Sequence, residues 1–517
     1  MSSHCAKDLD DWRSVCSSPG LRNDMYDLIV VGAGPAGSSA ARAAARAGLD
    51  VLILEKESFP RYKPCGGALS DRAISCLDFP LPEDLCERTI TSARVHFHDK
   101  AVEGHKGYRL TTLVTRSKFD QFLLQKALEA GSNLVTQKVR GYKEKEDHVE
   151  VLTETEEYQS GFLVISSGCQ DCLKDGIQER ATRDQYNVSI VTEIEEDDDK
   201  IDERLHGSLD FYFDAAETGY GWVFPHKGYY SVGIGGQASR LEGLRGTMQN
   251  FLKKTGFRGN YRLHGHKIPM GGISWRVASP RVLLAGDSAG FVDPFTGEGI
   301  YYAMRSGQIA AQAILEQDLA NVSKAYEAMC KKDFGEELSY ALWMLKSLDA
   351  HREIFFDALV RNEDVLNNYL EITAAKKTYK DFAEWFFPVL IQIYIDGSDG
   401  KIDKVPKILK SFWDRERVNL KLILSNGSVL RTGCEIENAR ITRIGKGGLR
   451  NPTITIVATE RAMHRIESSN DPMAALQKEK QLGGIAIMGQ SPSAKLKLDV
   501  LLSSAEVLRL FNNILSG

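Results

Sequence analysis

The sequence predicts an α/β protein: a parallel-sheet domain carrying an inserted antiparallel β-sheet domain, then a helical region and a small α+β C-terminal domain. Three observations lead there. An apolar run, a glycine-rich turn, a small-residue helix and a second apolar run follow one another between residues 27 and 56. A second pattern of strand, glycine loop and helix returns at 281–319, so the first domain closes only after a long insertion. The texture changes again near Trp413, where short alternating strands begin. A length of 517 residues accommodates roughly two to four such units.

The first element is the strand Leu28–Val31, whose unbroken β-branched run suits a strand buried on both faces. Gly32, Gly34 and Gly37 then spell G-x-G-x-x-G at a strand-to-helix turn. Gly32 allows the tight turn, Gly34 lets a pyrophosphate approach the backbone, and Gly37 lets the helix pack closely. The first helical amides, near Ala36, are unpaired and face the anion. Ala36–Ala47 is nearly all small, so this helix can lie flat on a sheet. Val51–Leu54 is the second strand and Glu55 ends it; a carboxylate there suits a ribose 2′-hydroxyl and repels a 2′-phosphate. The register of all five features makes this a dinucleotide site.

Next comes Phe59-Pro-Arg-Tyr-Lys-Pro-Cys-Gly-Gly, an irregular loop fixed by two prolines and the glycines Gly66 and Gly67. A cysteine at an arbitrary position is most often an inert packed thiol. Cys65, with Lys63 close by to lower its pKa, is the exception to look for. Residues 90–110 alternate weakly as strands. Arg116–Gly131 has helical spacing and a closing glycine. Val149–Leu152 and Phe162–Ile165 read as returning strands, and the eight acids within 193–203 as a solvated loop. Ser208–Phe213, Tyr220–Phe224 and Tyr229–Gly235 read as three antiparallel strands. Spacing by two puts Tyr220, Trp222 and Phe224 on one face, either as core or as the wall of an apolar ligand pocket.

In the second strong stretch, Val282–Ala285 is a strand, and Asp287 after Gly286 is placed to bind a sugar-alcohol hydroxyl. Pro294–Gly299, with Gly297 and Gly299, is a glycine-rich loop, and Ile300 opens a helix to about Leu319. Such a helix start presents amides and a positive dipole end to a planar anionic group.

Gly32-x-Gly-x-x-Gly, Glu55 and Gly286-Asp287 resemble the FAD-binding pattern of the para-hydroxybenzoate-hydroxylase-like flavoproteins. The Lys63-Pro-Cys-Gly-Gly loop, Tyr220-x-Trp-x-Phe-Pro and Asp293-Pro-Phe-Thr-Gly-Glu-Gly narrow this to a resemblance to the geranylgeranyl reductases, including archaeal enzymes that saturate membrane-lipid isoprenoid chains. The resemblance covers roughly residues 25–400. It implies a Rossmann-type FAD domain from 25–90, 110–185 and 275–320, and a β-sheet substrate domain from 91–109 and 186–274. A helical lipid-pocket region at 321–417 and a C-terminal domain at 418–517, similar to sterol-carrier-type domains, complete the chain after a polar extension, 1–24. It also implies FAD contacts from Gly32, Gly34, Ala36, Gly37, Glu55, Cys65, Gly66, Gly67, Arg116, Gly286, Asp287, Gly297, Gly299 and Ile300. Where family members often carry Ala-Asp-Gly, this chain reads Ser166-Ser167-Gly168, followed by Cys169 and Cys172, read here as two unconnected cysteines.

Reducing an unpolarised alkene takes hydride to one carbon and a proton to the other, with positive charge developing between. Tyr220, Trp222 and Phe224 suit an electron-rich wall for that charge, and Cys65 suits proton handling or shaping of the site. One dinucleotide fingerprint implies FAD without a separate nicotinamide domain, so a ferredoxin-like protein or transiently docked NAD(P)H is the expected electron donor. A flavin monooxygenase on a hydrophobic substrate and an electron-transfer flavoprotein serving quinone are the alternatives. Net charge is −5, against a nucleic-acid partner. Nine scattered cysteines suit a reducing cytoplasm and no metal set. Residues 1–24 lack a signal peptide's apolar segment. The longest apolar run, 386–395, contains Pro388 and Gln392 and is too short to span a membrane. Lys401–Arg417 reads as a capping helix, with a peripheral membrane contact as the alternative.

Overall fold

The computed structural model describes residues 25–169, 172–270, 273, 275–350, 352–361, 363–386, 415–425, 427–437, 440–467, 469 and 471–489. They fall into two compact units, one reaching to Val95 and resuming over His105–Leu338, the other comprising His96–Gly104 and the residues from Ser339 onward.

In the first unit a seven-stranded sheet carries five parallel strands in the order Asn133–Thr136, Val51–Glu55, Met25–Val31, Glu157–Ile165 and Val282–Leu284. Val149–Leu152 and Gly141–Glu144 extend it antiparallel from Glu157–Ile165. Leu28–Val31 and Val51–Leu54 are fully or nearly fully buried, as uninterrupted apolar strands require. The glycine turn explains the close packing that follows. Gly32 sits at φ +97°, and a Cβ at Gly37 would lie 1.8 Å from the Gly32 carbonyl oxygen. The helix Pro35–Arg46 is small on a second side as well: a Cβ on Gly307, in the helix Ile300–Glu316, would lie 2.2 Å from the Ala36 carbonyl. Small residues thus bring two helices as well as a sheet to contact distance.

Within this unit the second sheet has the order His264–Pro269, Tyr186–Glu195, Tyr229–Gln237, Tyr220–Pro225, Ser208–Tyr212. One face is covered by apolar helix residues: Val223, Val232 and Ile234 pack with Ile201, Leu205, Met248 and Phe251. Ile201 and Leu205 correct the reading of 193–203 as a loop. The strand runs on to Glu195, and Asp198–Leu205 is a helix. Two apolar residues four apart turn inward while the acids stay outside, and Asp198 and Asp199 complement the dipole of its first turn. A small sheet of Ala68–Leu69, Thr111–Leu113 and Arg88–Ile90 holds the exit of the proline–glycine loop.

In the second unit, Arg352–Arg361 and Glu363–Thr373 are helices, and Phe355, Phe356, Phe382 and Phe386 are buried against one another. A five-stranded sheet has the order Arg440–Lys446, Val429–Glu437, Arg415–Ile423, Ile454–Thr459, Ile485–Gly489. Only its central pair, Arg415–Ile423 with Ile454–Thr459, is parallel. The helices Glu460–Glu467 and Pro472–Gln481 precede the last strand. Arg415–Arg417 belong to this sheet rather than to a capping helix; 401–414, most of 386–395, residues 490–517 and residues 1–24 lie outside the described residues. Among the described residues no helix is long and apolar enough to cross a membrane.

Candidate functional site

Three segments of the first unit converge. The loop Cys65–Gly67 runs directly beneath the aromatic strand: a Cβ on Gly66 would lie 3.0 Å from Phe224 Cε2 and 3.6 Å from Trp222 Nε1. The Tyr220 hydroxyl donates to the Thr296 carbonyl at 2.5 Å, tying the same strand to the glycine-rich loop before Ile300. Tyr220, Trp222 and Phe224 follow one another with ring centroids 6.2 and 6.3 Å apart, on the face opposite the helix-covered core that takes Val223. Trp222 is 9% exposed and Phe224 6%. The indole lies across Gly233, where a Cβ would come within 2.3 Å, and its N–H donates to Ser231 Oγ at 3.2 Å. Cys65 Sγ accepts from the Gly67 amide at 3.4 Å, and the residue packs against the buried cluster that includes Leu69, Val114, Phe119 and Ile300.

The loop before Ile300 is built on itself and on its neighbours. Asp293 is fully buried and accepts from the amides of Phe295 and Thr296 at 2.8 and 3.0 Å. Glu298 is held by the Ser70 hydroxyl and, at 3.0 Å, by Arg72. Burial pushes the Glu298 carboxyl up despite the pull of Arg72.

Around the first glycine turn, Glu55 is 6% exposed and accepts from the Ala33 amide at 2.7 Å and the Glu57 amide at 3.0 Å. It therefore braces the turn, with lone pairs left for a sugar hydroxyl. The open side of Gly34 faces a guanidinium: a Cβ there would lie 3.3 Å from Arg61 Nη2. Arg61 also pairs with Asp120 at 3.2 Å. Arg116 is buried and turned onto Asp120 in a bidentate pair at 2.9 and 3.0 Å. Burial would lower its pKa, but Asp120 and then Cys65 hold the cation firmly charged. Asp287 Oδ1 would lie 3.5 Å from a Cβ on Gly299, and its Oδ2 is 3.7 Å from His266 Nε2. His266 is in turn 2.7 Å from Lys63 Nζ.

These residues fit FAD. Gly32, Gly34 and Gly37 with the Ala36 helix turn and Arg61 would hold a pyrophosphate. Glu55 would hold a ribose and Asp287 a ribityl hydroxyl. The Gly297–Gly299 turn before Ile300 would face the isoalloxazine edge. Arg61, His226 and His266 were missed by the sequence reading. Arg61 stood within a loop already singled out; His226 and His266 carry no local signal, because only the fold brings them to Gly66 and Asp287. Cys169 and Cys172 are free, and the Cys169 thiol donates to the Lys267 carbonyl at 2.8 Å. Burial, and then Asp287, push that thiol up to about 11, which keeps it unreactive.

Comparison with known proteins points to the same cofactor. The family described as FAD dependent oxidoreductase matches residues 27–165. A geranylgeranyl diphosphate reductase of Rhodobacter capsulatus is 32% identical over 56% of this chain and 75% of its own. The chain belongs to the geranylgeranyl reductase family of FAD-dependent oxidoreductases. A digeranylgeranylglycerophospholipid reductase of Methanothermobacter thermautotrophicus is 29% identical over 65% of this chain and 91% of its own. The crystal structure of a geranylgeranyl bacteriochlorophyll reductase-like protein from Thermoplasma acidophilum shares the fold, with a TM-score of 0.60 at 23% identity. It covers 68% of this chain and 96% of that one. For this family member the Rossmann-type FAD domain with an inserted antiparallel sheet is thus the inherited architecture.

Proposed function

We propose that this family member hydrogenates carbon–carbon double bonds in geranylgeranyl chains of archaeal-type ether membrane lipids. One observation carries the reading: an aromatic wall of Tyr220, Trp222 and Phe224 lies directly on the Cys65–Gly67 loop and is tied to the loop that opens the Ile300 helix. An isoprenoid is an apolar chain whose only reactive feature is an unpolarised double bond, and an aromatic face with few polar groups suits it.

The bound flavin, once reduced, supplies a hydride. The chain's own residues do the rest. The wall excludes water and attracts the positive charge that develops on the more substituted carbon. Cys65, in the loop beneath it, and the Lys63–His266 pair two residues along the chain from Cys65 are the proton-holding groups, and one proton reaches the second alkene carbon for each hydride delivered. Electrons enter from a ferredoxin-like protein or from NAD(P)H docking transiently. The C-terminal sheet is the part proposed to receive long lipids, in peripheral contact with a membrane.

The test is anaerobic. Enzyme reduced with dithionite and freed of excess reductant should regain its yellow flavin colour on adding a geranylgeranylated ether lipid. Reoxidation only when oxygen is admitted would favour a monooxygenase and overturn the proposal.

A further inference from the structure

Behind the Cys65–Gly67 loop lies a buried network that neither the wall nor the cofactor contacts use. His226 is 1% exposed. Its Nδ1 is 2.6 Å from Glu87 Oε2 and its Nε2 is 3.0 Å from the Gly66 carbonyl oxygen. The second Glu87 oxygen accepts from the Thr115 hydroxyl. Tyr229 stacks on the imidazole with centroids 4.5 Å apart, and its hydroxyl lies 3.0 Å from Nδ1. Arg88 donates to the His226 carbonyl at 3.0 Å, and its other arms go to Asp198 and Asp202. Glu193 and Lys118 are the further charged groups acting on the pair.

The partners decide the protons. A carbonyl oxygen only accepts. Burial would raise the Glu87 carboxyl, but hydrogen bonds from His226 and Thr115 outweigh it and hold the group below the usual carboxylate range, so it too only accepts. The Gly66 carbonyl therefore calls for a hydrogen on Nε2, while Nδ1 lies within reach of both the Glu87 carboxylate and the Tyr229 hydroxyl.

We infer that His226 is a positioning residue: held at Nδ1 by Glu87 and Tyr229, it donates Nε2–H to the Gly66 carbonyl and holds Cys65–Gly67 against Phe224 and Trp222. The loop is held from both sides. A Cβ on Gly67, at φ +71°, would lie 2.8 Å from His226 Cε1, while one on Gly66 would lie 3.0 Å from Phe224. The consequence for catalysis rests on the reductase reading; the position of the loop does not.

The experiment is alkylation of Cys65 by iodoacetamide in the FAD-loaded full-length protein, followed by peptide mass spectrometry. His226→Leu removes both ring contacts, and His226→Phe keeps a ring against Tyr229 but has no N–H. Each should speed Cys65 alkylation about fivefold, the size of one lost hydrogen bond in loop closure. His226→Gln, whose amide can donate to the same carbonyl, should recover protection to within about twofold. Alkylation at the wild-type rate in His226→Leu and His226→Phe would overturn the inference. Should His226→Leu not fold, His226→Phe against wild type decides in the same two directions. The assay needs no substrate, so protection as predicted in a protein that reduces no alkene would overturn the reductase reading alone.

Discussion

Lys63 Nζ lies 2.7 Å from His266 Nε2, and the same imidazole nitrogen lies 3.7 Å from Asp287 Oδ2. A cation, an imidazole and a carboxylate therefore meet two residues from Cys65. Burial lowers the Lys63 pKa, and Arg116 lowers it further, against the pull of Asp287. A lysine with a depressed folded pKa binds fewer protons folded than unfolded, so its burial weakens the fold wherever it must be charged. That cost shrinks as pH rises through the folded value toward the ordinary 10.5. Lys63→Met should therefore melt at or above wild type near neutral pH, with the gap closing in alkali. It should slow alkene reduction roughly a hundredfold, the lower end of the cost of losing a proton-handling group.

Trp222→Ala separates a wall from a core. A core tryptophan cut to alanine costs about 3–5 kcal/mol. Trp222 lies beside the loop and away from the helix-covered core, so its truncation should cost less than that while slowing reduction roughly tenfold through loss of a cation-stabilising face. Trp222→Phe keeps a ring, loses only the bond to Ser231 and should recover most of the rate. Calorimetry and single-turnover rates check the pair.

Glu55 braces the cofactor turn through the Ala33 amide. Glu55→Lys replaces that acceptor with a cation and should weaken FAD binding at least about tenfold, whereas Glu55→Gln, which still accepts, should lose less. Flavin fluorescence titration of apoprotein measures both.

Glu87 and Asp287 set the acid limit. Both carboxyls are held below their ordinary values of 4.5 and 3.8, Glu87 by His226 and Thr115 and Asp287 by His266 and Lys63, each against its own burial. Their contribution is complete above the unfolded values and is lost as pH falls through the folded ones. The melting temperature should fall below about pH 4, and less steeply in Glu87→Gln.

Much of the first sheet was legible because it is local. Leu28–Val31, the three glycines and Glu55 lie within one strand–helix–strand unit, and spacing by two was enough to place Tyr220, Trp222 and Phe224 on one face. The acidic stretch 193–203 misled because its charges mask two inward positions, Ile201 and Leu205, whose burial depends on a sheet face formed elsewhere. His226 and His266 were unreadable for a related reason. Gly66 is 160 residues from His226 and Lys63 is 203 from His266, and no local pattern encodes such a contact. Arg116, a cofactor contact by the resemblance, makes a bidentate bond to Asp120, an i,i+4 pair that helical spacing alone indicates.

The central claim is hydrogenation of isoprenoid double bonds, and the mass of the lipid tests it most directly. Dithionite-reduced protein incubated without oxygen with a geranylgeranylated ether lipid should yield products heavier by about two daltons per double bond, the mass of a hydride and a proton together. Lipid recovered unchanged by FAD-loaded, folded protein, or lipid heavier by one oxygen atom once air is admitted, would contradict the account.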